Sequence, residues 1–157
     1  MGFTFPEQCK VVKLYHGAAN AVASDVVSCK NAHKVWIVAF HSGAADTDLV
    51  LSLAEHTAVG ESAVAITATF PIWVDADVGT SSDALVRQTD AANYTINTGT
   101  SPNQLVVFEW DPAKFSAGYD CLSLADDDAG NASNNVCAFA VIESRYKADP
   151  PLTAITD

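Results

Sequence analysis

Apolar residues in this chain recur in stretches of five to eight positions separated by Gly, Pro, Asn, Asp and Ser, without the three-to-four spacing of a long helix. The stretches fall at residues 10–15, 25–30, 34–41, 47–54, 69–75, 84–88, 104–110, 119–124 and 135–142, each of strand length. Within 47–54, Leu49, Leu51 and Leu53 alternate with Asp48, Val50 and Ser52, the period-two pattern of a strand with one buried face. Within 104–110 both sets are apolar: Val106, Phe108 and Trp110 on one side, Leu105 and Val107 on the other. That pattern predicts a central strand, or one whose second face a neighbouring subunit covers.

About nine such strands predict an all-β, single-domain antiparallel β-sandwich or jelly-roll-like barrel. Helical composition is confined to residues 59–67, a short segment rich in β-branched residues. A helical turn is also expected after Asp111 and Pro112, where Asp can cap and Pro can take the first helical position. The ends lack alternation and carry Pro6, Pro150 and Pro151, so residues 1–9 and 148–157 are expected to be extended arms around a domain spanning 10–147.

At 157 residues the chain is long enough for one core without metal or disulfide staples. No apolar run, 35–40 included, is long enough for a membrane helix. Nineteen acidic residues against eight basic ones give a net charge of −11, which disfavours nucleic acid as a direct partner. Residues 1–10 lack the basic start and apolar core of a secretory signal, which leads to the expectation of a protein made in a cytoplasm.

Candidate chemistry is sparse. Cys9, Cys29, Cys121 and Cys137 form no CxxC pair; free thiols are expected, with disulfides formed in an oxidising medium as the alternative. His16, His33, His41 and His56 make no HExxH or HxH group and are expected at the surface or half-buried; with no GxSxG elbow beside them, no catalytic residue is assigned. The run Asp126, Asp127, Asp128 lacks the ligand spacing and closing Glu of an EF-hand, and reads with Gly130 and Asn131 as a solvated turn, as do Asp75 and Asp77 before Gly79. No phosphate-binding glycine loop occurs, so neither metal nor cofactor is expected. Acceptor patterns for glycosylation at Asn93 and Asn131 are read as chance. Trp36, Trp73 and Trp110 are expected in the core, with one at a subunit contact as the functional alternative.

Four segments carry a resemblance: VVSCKNAHKVWIV at 26–38, SSDALVRQTDAA at 81–92, QLVVFEWDP at 104–112 and ESRY at 143–146. Together they resemble the capsid decoration, or cement, proteins of tailed bacteriophages. The resemblance implies a non-enzymatic virion protein on the capsid exterior, assembled in the host cytoplasm, that bridges major capsid protein subunits and forms a homo-oligomer, commonly a trimer. The expected interface residues are Phe3, Phe5, Pro6, Trp110, Pro150, Pro151 and Leu152. The rival expectations are another virion component, such as a head–tail connector, tail or fibre protein, and a carbohydrate- or receptor-binding β-sandwich.

Overall fold

The computed structural model describes residues 5–19, 24–43, 48–78, 83–99, 103–127 and 134–145. After one helical turn, α1 (Phe5–Gln8), come β1 (Cys9–Ala18), β2 (Val27–Ser28), β3 (Ala32–Ser42), β4 (Leu49–His56), β5 (Val64–Ala65) and β6 (Ile72–Asp75). They are followed by β7 (Val86–Arg87), β8 (Asn93–Ile96), β9 (Asn103–Trp110), β10 (Cys121–Asp127) and β11 (Asn135–Ser144). Two antiparallel sheets pack face to face. One has the order β1-β11-β3-β9-β6-β7; the other runs β2-β10-β4-β5, with β8 also on β4. The fold is an all-β sandwich, and no closed barrel forms among the described residues.

All nine expected segments contain strands, and the side-chain period explains the core. Leu49, Leu51 and Leu53 are buried and face Val35, Ile37, Val106 and Phe108 of the larger sheet in one cluster. At its wide end Phe70 meets Phe108 edge-on with ring centroids 5.5 Å apart, Trp110 at 6.0 Å, and Trp110 meets Phe115 at 5.4 Å. Such pairs contribute about 0.5–1.5 kcal/mol each beyond their burial. The strand β9 lies between β3 and β6, so its two apolar faces belong to a central strand.

The turn after Asp111 forms as expected. A short 3₁₀ helix spans Pro112–Lys114, and Asp111 Oδ1 accepts the Ala113 N–H at 2.9 Å. Three expectations are corrected. Residues 59–67 hold no helix, because the stretch is spent on a turn at Gly60, where φ is +89°, and on β5, which pairs with β4. Within the expected arm 1–9, Phe5–Gln8 is a helical turn and Cys9 already pairs with Glu143. His41 and His56 are buried, not superficial. The remaining arm residues, 1–4 and 148–157, lie outside the described residues.

Candidate interaction surface

Alternation that buries one set of side chains in the larger sheet turns the other set outward, and here that second set is also apolar. On β11, β3, β9 and β6 the outward residues are Phe139 and Val141, Val38 and Phe40, Leu105 and Val107, and Trp73. Register aligns them into rows: Phe139 is opposite Val38, Val38 opposite Val107, and Val107 opposite Trp73. A second row joins Cys137, Phe40 and Leu105, and a third joins Val11, Val141 and Trp36. The ten positions of these rows, each covering about 4.8 Å by 7 Å, make a patch of roughly 340 Å². A continuous apolar patch of about 300–600 Å² on a single chain is commonly an interaction site.

The charge on this face differs from that of the whole chain. Lys13, Lys34 and Arg87 stand against Glu109 and Glu143, with Asp90 ion-paired to Arg87 at the edge. With Asp75 opposite Leu105, the face carries three basic and four acidic side chains, close to balance in a chain of net charge −11. Lys34 Nζ donates to Glu109 Oε1 at 2.5 Å, a bond that raises the lysine pKa, and Trp36 Nε1 donates to Glu109 Oε2 at 3.2 Å. The Arg87 guanidinium lies 4.9 Å from the Trp73 ring centroid. Polar groups along the rim thus fix Trp36 through Glu109 and Trp73 through Arg87.

Trp110, expected at an interface, is fully buried on the inward side of β9. The tryptophans expected in the core divide the other way, with Trp36 and Trp73 on the outer face. Sequence reasoning misplaced them because strand period assigns side chains to two faces without saying which faces inward. Phe5 is exposed, while Phe3, Pro150, Pro151 and Leu152 lie outside the described residues, as does the side chain of Pro6.

Buried polar groups elsewhere are tied into the fold. His56 Nδ1 donates to the Glu61 carbonyl at 2.8 Å, leaving Nε2 to accept the Ser123 hydroxyl at 2.8 Å. Both side chains are buried, so this pair clamps β4, β10 and the Gly60 turn. His41 Nε2 meets Asn134 Oδ1 at 3.0 Å, and Asp75 Oδ1 accepts the Asp77 N–H at 3.2 Å. The four cysteines are free, with Cys29 and Cys121 buried. Among the described residues no three His, Cys, Asp or Glu side chains gather as metal ligands; Asp128 is not among them.

A scan of protein-family models, a search of curated proteins and a search of solved structures each find no match to this chain.

Proposed function

We propose that this chain is a non-enzymatic decoration protein of a tailed-phage capsid, held to the outside of the shell and to sister copies by the outer face of its larger sheet. The observation that carries this reading is the row Phe139, Val38, Val107 and Trp73, an apolar surface whose surrounding charges nearly cancel on an otherwise acidic chain. Acidic surfaces repel one another, so association is favoured where local charge cancels and apolar area can leave water. The phage assignment rests on the four sequence segments that resemble decoration proteins, and the trimer and the major capsid protein as partner enter with it.

The test uses Val38→Lys and Phe139→Lys, which place charge on the face while leaving the inward residues of β3 and β11 intact. Co-sedimentation with empty capsids of the phage that encodes the chain should show attachment weakened at least about tenfold, equivalent to about 1.4 kcal/mol. Circular dichroism should show both variants folded. Folded variants that attach as tightly as the parent would remove the face from the proposal.

A further inference from the structure

The apolar patch on the larger sheet is ringed by polar side chains, and the face as a whole has the size of a stable protein–protein contact. At about 4.8 Å by 7 Å per position, the outward residues of its six strands cover on the order of 700 Å². Two such faces brought together bury roughly 1,400 Å², inside the range of about 1,200–2,000 Å² for specific interfaces. The distribution of side chains also suits a protein partner. Trp36, Phe40, Trp73 and Phe139 stand within the patch, and the charged residues stand around it, as in an interface with an aromatic centre and a polar rim.

The rim carries its own complement. Lys34 is paired with Glu109 and Arg87 with Asp90 inside the chain. Lys13, exposed on β1 opposite Phe139, and Glu143, on β11 opposite Lys34, make no ion pair among the described residues. One is a base and the other an acid, on neighbouring strands at the same side of the patch. A second copy turned over onto this face can therefore offer its Glu143 to Lys13 and its Lys13 to Glu143, the reciprocal contact of a two-fold interface. On a flat sheet of the same spacings, the axis that achieves this runs between Trp36 and Val38, across the apolar patch, and the strands of the two copies cross at about 40°. Sheets packed face to face lie at about 30°, close to that value. Arg87 falls near the axis, where its own Asp90 offsets it.

We propose that the outer face takes a second copy of this chain, in a two-fold pair held by the apolar rows and by reciprocal contacts between Lys13 and the partner's Glu143. This rests on the reading that the face is adhesive and adds which partner meets it in solution. A chain of net charge −11 repels its like, and repulsion is least where the two copies meet through surfaces whose charges nearly cancel. The pair covers the face, so a sister copy and a shell compete for it.

Sedimentation equilibrium of the full chain up to about 200 μM should show even-numbered species, a dimer or a pair of larger rings. Val38→Lys and Lys13→Glu should each weaken pairing at least about tenfold, with circular dichroism showing both folded. Lys13→Glu combined with Glu143→Lys restores the reciprocal charges and should recover the pair. Pairing untouched by Val38→Lys, or a charge exchange that leaves the loss in Lys13→Glu unrepaired, would overturn the inference. A strictly monomeric parent whose capsid attachment still falls in Val38→Lys overturns the pair and leaves the decoration reading standing. A pair lost in Val38→Lys while capsid attachment is unchanged supports the pair and removes the face from the decoration reading.

Discussion

Cys121 is the first residue of β10, buried opposite Ser28 of β2, and its Sγ donates to Asp120 Oδ1 at 3.1 Å. Burial, then the hydrogen bond and charge of Asp120, push its thiol from 9.0 to about 11, and burial pushes the Cys29 thiol up further. Below pH 9 these thiols are neutral whether the chain is folded or not, so they add no pH dependence there. Above it the unfolded thiols lose protons that the folded ones keep, and stability falls as pH rises toward about 11. Thermal melts between pH 8 and 11 should show a declining midpoint, with a shallower decline in Cys121→Ala; parallel curves for the two proteins would contradict the assignment. Native alkylation at pH 8 followed by mass spectrometry should leave Cys29 and Cys121 unmodified.

At the level of elements, stability concentrates on β9 and thins toward β7. Phe108 is fully buried between β3 and β6 and touches Phe70, so Phe108→Ala should cost about 3–5 kcal/mol in urea unfolding. Val86, on the two-residue edge strand β7, is 58% exposed, and Val86→Ala should stay within about 0.5 kcal/mol. Similar costs for the two would contradict the sheet order. The nine longer segments were legible because alternation and turn residues coincide in them. Two strands were not: β5 has both residues exposed, and β8 buries only Ile96, so neither carries a periodic signal. Sheet membership was also hidden, because the chain changes sheets at most connections and only register, a long-range property, pairs β1 with β11. The outer face was half legible: the apolar pattern of 104–110 showed that both sides of β9 are covered or sticky, without saying which side the second sheet takes.

Across the whole molecule, the antiparallel pairing of β1 with β11 decides where the ends of the chain go. Cys9 at the start of β1 lies opposite Glu143 near the end of β11, so both termini leave from the same corner of the larger sheet. The ladder runs from Cys9 to Ser144, and the Arg145 N–H closes it by donating to the Asn31 carbonyl at 2.8 Å. All of these bonds are made among residues 9–145, so this ladder is complete without residues 1–4 and 148–157. Removing either segment should therefore shift the thermal midpoint by no more than a few degrees, since about 1 kcal/mol moves a domain of this size by roughly 2–4 °C. In the decoration reading, both terminal segments contact a neighbouring surface. In 148–157, Pro150 and Pro151 lower the conformational entropy lost on docking, so that truncation above all should weaken capsid attachment more than it weakens the fold. Melting and capsid co-sedimentation of the two truncations separate this from the alternative, in which a terminal segment completes a sheet edge. A truncation that melts well below the parent yet attaches equally tightly would place the segment in the fold and remove it from adhesion.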